Sequence, residues 1–94
     1  MPYFRDRSAT VANVRAECER RIFKVLPATA QLNLNRYVVL NPTDTETLAA
    51  YATAGAWIDA MRGTCSSLVD DPAYLNDASW PAPSQGTIDL GGSY

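Results

Sequence analysis

The chain has 94 residues, of which 47% are apolar and 19% charged, and its formal net charge is −2. That length supports one folded domain near the lower limit for a single apolar core, and that composition excludes a disordered chain. Histidine is absent, which excludes every mechanism built on an imidazole base or ligand. The carboxylates sit where helix caps and solvated faces place them, so the expectation is a non-enzymatic protein with no metal and no cofactor.

No segment approaches the roughly 20 apolar residues of a membrane span, and no basic start precedes an apolar run. Two cysteines, Cys18 and Cys65, are too few and too far apart for a zinc site or a secreted disulfide framework, so a reducing cytoplasm is the expected compartment. Charge is unevenly spread. Residues 1–40 carry seven basic against three acidic side chains, whereas residues 41–94 carry one against seven. Such polarity suits two halves folded together or copies packed head to tail.

Residues 1–9 form a short arm in which Tyr3 and Phe4 are expected to pack against something. Ser8 or Thr10 can cap a first helix running from about Thr10 to Leu26. Its apolar residues Val11, Val14, Cys18, Ile22, Val25 and Leu26 recur at three and four residues, and Glu17–Arg21 and Arg15–Glu19 can pair on its surface. Pro27 ends that helix and suits the first turn of the next, predicted over Ala28–Leu40 with Ala30, Leu34, Tyr37 and Val38 inward.

Asn41-Pro42 signals a turn, and Thr43 followed by Glu46 makes a capping-box pattern. A long third helix is predicted from about Asp44 to Val69. One apolar stripe holds Leu48, Tyr51, Ala52, Gly55, Ile58, Cys65 and Val69, with Trp57, Met61 and Leu68 in a second beside it. Gly63 is the expected bend. With the turn at Asn41-Pro42, residues facing each other in an antiparallel hairpin have numbers summing to about 83. Cys18 then faces Cys65, Ile22 faces Met61, Val14 faces Val69, Val25 faces Ile58 and Leu32 faces Tyr51.

After Asp71 three of the six prolines and three of the five glycines fall in residues 72–94, which predicts an extended tail, with residues 87–90 as a short strand. Tyr74 and Leu75 are expected to turn back toward the wide face of the third helix. Trp80 either seals the domain or reaches into another chain. The predicted architecture is all-α: an arm over 1–9, an antiparallel helical hairpin over 10–71, and an extended tail over 72–94. Interaction candidates are Tyr3, Phe4, Trp57, Met61, Tyr74, Leu75, Trp80, Ile88 and Leu90.

Three stretches carry a family resemblance. "VRAECERRIF" (14–23) has Glu and Ala ahead of an Arg-Arg-Ile core, "AWIDAMRGTCSSL" (56–68) has a Trp-Ile pair before Arg, and "LNDASWPAP" (75–83) is an Asp-containing segment ending in Trp-Pro. Together they resemble small phage proteins encoded near tail-fibre genes, described as tail-fibre assembly chaperones or tail-associated proteins. The resemblance spans residues 11–83, although "PATAQLNLN" departs from the Lys, Gln and Trp common there.

What the resemblance implies is a virion component or assembly chaperone that contacts other phage tail or fibre proteins. The chain would then act in the host cytoplasm during assembly or stay in the virion, as a homo-oligomer or part of a larger assembly, with no catalytic residues. A different expectation is a small phage inhibitor of a host enzyme or defence complex, presenting Asp59, Asp70, Asp71 and Asp77. Nucleic-acid binding through Arg15, Arg20, Arg21 and Lys24 is disfavoured, because those cations are spread and poorly interleaved with aromatics.

Overall fold

A computed structural model of the chain describes residues 7–94; Tyr3 and Phe4 lie outside the described residues. The fold is all-α. Helices α1 (Val11–Val25), α2 (Ala28–Leu40) and α3 (Thr45–Ser67) follow the sequence pattern closely. Beyond them come two 3₁₀ turns (Pro72–Leu75 and Asp77–Ser79) and a fourth helix, α4 (Gln85–Ser93).

Helix α1 begins where Thr10 accepts a hydrogen bond from the Asn13 backbone N–H at 3.1 Å, supplying a partner for one of the donors that a helix start leaves free. Its inward stripe is Val14, Cys18 and Ile22, all buried. Pro27 precedes α2, and Gln31 clasps the bend by donating from its side chain to the Leu26 carbonyl at 2.8 Å. At the next turn the cap lies one residue later than the Thr43–Glu46 pattern predicts. Asp44 accepts from the Thr47 N–H and hydroxyl at 3.1 and 2.8 Å, and from the Tyr37 hydroxyl at 2.6 Å, which ties α2 to the start of α3.

The core contains Val14, Cys18, Ile22, Leu26 and Leu34, faced by Ala54, Trp57, Met61, Cys65 and Leu68 of α3 and its C-cap. The stripe of Trp57, Met61 and Leu68, joined by Cys65, therefore makes the buried face. Tyr51, Ala52 and Gly55 of the other predicted stripe are exposed. Helix α3 runs unbroken through Gly63, so the predicted bend is not there.

The hairpin register holds at Cys18 and Cys65 and fails above Pro27. Cys18 and Cys65 meet, and Ile22 and Met61 share the core, but Leu32 is 70% exposed and Tyr51 instead donates its hydroxyl to the Asn35 side chain at 2.7 Å. The physical reason is α4, which packs against both α2 and α3. A helix between them holds α2 away from the ideal hairpin line.

Residues 72–94 are therefore no extended tail, and residues 87–90 are helical. The chain leaves α3 through Asp70, whose φ of 67° lies in the left-handed region that Asp tolerates better than most side chains. Its N–H donates to the Ala9 carbonyl at 2.8 Å. Asp71 caps the first 3₁₀ turn through the Ala73 N–H, and the Tyr74 hydroxyl reaches back to the Arg7 carbonyl at 2.9 Å. Ser84 then caps α4, accepting from the Thr87 N–H at 3.2 Å. The Thr87 hydroxyl, almost fully buried, lies 3.0 Å from the Ser84 hydroxyl, so its polar atom has a partner.

Candidate functional site

A cleft of about 640 Å³ opens between α1, the Pro81-Ala82-Pro83 run and α4. Two indoles belong to its apolar lining, and each is pinned by its own ring N–H. Trp57 donates to the Pro81 carbonyl at 2.9 Å and Trp80 to the Tyr74 carbonyl at 2.7 Å. With their polar tips used inside the fold, the rings offer the cleft only hydrocarbon. Ile88 of α4, 44% exposed, forms part of the wall.

Along one edge stand Arg20, Arg21 and Lys24, one face of α1. Arg21 is the organiser. It donates to Glu17 at 2.8 Å, to Asp77 at 2.8 Å and to the Leu75 carbonyl at 3.1 Å, and its guanidinium lies 5.7 Å from the Trp80 ring centre. One side chain thus fastens the segment after α3 onto α1, through a cation–π contact and a planar fork of donors that Lys could not reproduce. Arg20 makes a two-pronged pair with Glu17 at 2.8 and 2.7 Å. Glu17 thereby serves both arginines, whereas the predicted Arg15–Glu19 pair is not formed among the described residues.

The hydrogen bond from Arg20, reinforced by Arg21 and opposed by burial, holds the Glu17 carboxyl below its ordinary 4.5. The Arg21 hydrogen bond and charge likewise lower Asp77 from 3.8, and the hydrogen bonds from Tyr37 and Thr47 lower Asp44. A carboxyl depressed in the folded state contributes stability above its unfolded value and loses it as pH falls through the folded one. The melting temperature should therefore hold between about pH 7 and 5 and decline below about pH 4. Circular dichroism melts across that range should show a shallower decline in Arg21→Met; an identical decline would show that this cluster is not its source.

The sequence-predicted interaction residues separate into three groups. Trp57, Met61, Trp80 and Ile88 meet at the cleft. Tyr74 and Leu75 line a smaller recess beside Arg7 and Glu17, and Leu90 is core. Trp80, 7% exposed, seals its own domain. The Pro81–Pro83 wall and the edge formed with α1 are not legible in the sequence, since both depend on where α4 sits. Of the acidic candidates, Asp71 is a cap and Asp77 is paired with Arg21, leaving Asp59 and Asp70 as exposed acids on different elements.

Cys18 and Cys65 are free thiols, both buried, that line one small recess between α1 and α3. The Cys18 Sγ lies 3.7 Å from the Met61 carbonyl. Burial, with Cys65 beside it, pushes the Cys18 thiol from 9.0 up to about 11, so at pH 8 it is almost wholly protonated and inert. Iodoacetamide at pH 8, followed by peptide mass mapping, should label Cys18 about a hundredfold more slowly in the folded chain than in denaturant. Equal rates would contradict its burial.

No helix among the described residues is long and apolar enough to cross a membrane, and no cluster of three or more potential metal-ligating side chains occurs among them. No family model, curated protein or solved structure matches the chain.

Proposed function

We propose that this chain is a non-enzymatic protein of a phage tail, a virion component or a chaperone of fibre assembly, and that it docks a partner protein in the cleft between α1 and α4. The observation that carries the docking role is the cleft itself. Its apolar residues are fixed by internal hydrogen bonds, its edge is cationic, and it contains no histidine or thiol able to do chemistry near neutral pH. Rigid aromatic walls with a charged edge are the features of a protein-binding surface. The tail setting is supported by the resemblance of residues 14–23, 56–68 and 75–83 to tail-fibre assembly proteins.

The test is co-expression of the full chain with the tail-fibre protein of the phage that encodes it, together with mass spectrometry of purified virions. A complex that survives purification and weakens on Ile88→Gln supports the chaperone form. A fixed copy number in virions supports the structural form. A chain that forms no complex and is absent from virions overturns the tail role.

A further inference from the structure

The charge around the cleft narrows the kind of partner it takes. Three cations, Arg20, Arg21 and Lys24, border it, against one acid, Asp77. Arg21 is neutralised within the fold by Glu17 and Asp77, and Arg20 shares Glu17. Lys24 has no ion-pair partner among the described residues. The edge therefore keeps an uncompensated positive charge directly above an apolar trough.

Asp77 shows how that edge receives a carboxylate. Its side chain is 97% exposed and yet sits 2.8 Å from the Arg21 guanidinium, so an acid approaching from solvent meets a cation already oriented for it. One helical turn along α1 from Arg20 and Arg21, Lys24 stands on the same edge, makes no ion pair of its own and feels Asp77 only through its charge. The indoles below are only 7% exposed and one carries Arg21 on its ring, so they are walls and not platforms on which nucleobases could stack. A volume of about 640 Å³ holds a few side chains of a peptide.

We infer that the cleft binds an acidic protein segment, in which an Asp or Glu pairs with Lys24 and Arg20 while a bulky apolar neighbour fills the space between Ile88 and the two indoles. This rests on the protein-docking role proposed above and adds the chemistry of the partner. Electrostatic complementarity of this kind acts chiefly through selectivity and association rate.

The test uses the full chain as bait for a random peptide library free of tryptophan, followed by titration of selected peptides. Trp57 and Trp80 are the two tryptophans of the chain and both line the cleft, so their emission reads occupancy directly. The expected result is enrichment of Asp or Glu beside Leu, Ile, Met or Phe. Saturable binding should weaken about tenfold or more in Lys24→Glu, and in Ile88→Gln, and fall with added salt. Arg36→Glu, an exposed cation on α2 away from the cleft, should bind as the parent does.

Enrichment of basic or uncharged peptides, tighter binding of an oligothymidylate than of any acidic peptide, or indifference to Lys24→Glu overturns the inference. Should the fibre protein still bind the parent chain and release from Ile88→Gln, the docking role stands and only the acidic class of partner falls. Should fibre binding ignore both substitutions, the cleft as docking site falls with it.

Discussion

Trp80→Ala is expected to destabilise the chain by about 3–5 kcal/mol, the range for truncating a large buried aromatic. Three losses coincide at this position. The ring is 7% exposed and belongs to the core, so its removal leaves a cavity. The Tyr74 carbonyl loses the 2.7 Å hydrogen bond from the indole N–H, and an unpaired buried acceptor costs about 1–3 kcal/mol. Arg21 loses the ring beneath its guanidinium. Trp80→Phe separates these effects, since it keeps much of the apolar volume and forfeits the hydrogen bond, and should fall between parent and Ala.

Urea denaturation followed by far-ultraviolet circular dichroism measures both variants without relying on tryptophan emission. The comparison also decides between the two roles the sequence allows for this residue. An anchor that reaches into another chain could be truncated with changes within about 0.5 kcal/mol in the isolated protein, as for surface sites generally. A loss of several kcal/mol from a domain with about 5–15 in total marks a residue that closes its own fold. A second consequence follows for the cleft, because Trp80 is one of its walls: the alanine variant should lose peptide binding even where it remains folded.

The first three helices were legible because each satisfies more than one local rule. Helix α1 combines the Thr10 cap with Val14, Cys18 and Ile22 at four-residue spacing, and the chain break at Pro27 is dictated by a missing N–H and a ring clash. The inward face of α3 was not legible in the same way. Its two neighbouring apolar stripes are equivalent to a periodicity argument, and only the large ring of Trp57, hydrogen-bonded to Pro81 and packed beside Met61, decides which is buried. The cleft was invisible in sequence for a related reason. Arg20, Trp57 and Ile88 lie on three different helices and Trp80 in the segment before α4, and they converge only once α4 is in place.

Helix α4 was missed because glycine at 86, 91 and 92 and proline at 81 and 83 weigh against a helix. The signals in its favour are a serine cap at Ser84, three residues before Thr87, and Thr87, Leu90, Gly91 and Tyr94 at helical spacing. At Gly91 the low propensity and the docking of the helix have a common cause. Helix α4 crosses the end of α1 so closely that a Cβ on residue 91 would lie 1.8 Å from the Val25 carbonyl oxygen and 2.9 Å from its carbon. The obstacle is backbone, so no side-chain rotamer can move out of the way.

Gly91→Ala is therefore expected to cost about 1–3 kcal/mol or more by forcing α4 off the end of α1, although alanine is the better helix former by about 1 kcal/mol. The neighbouring position provides the control. A Cβ on Gly92 meets nothing within 4 Å, so Gly92→Ala should leave stability unchanged or raise it by up to about 1 kcal/mol. Adjacent glycines in one helix should thus respond with opposite sign to the same substitution. Denaturation midpoints measure the total effect, and hydrogen exchange of the α4 amides shows whether this helix detaches before the α1–α3 pair opens. Equal effects at 91 and 92 would mean that α4 does not approach α1 as described, and the cleft would lose the wall that Ile88 provides.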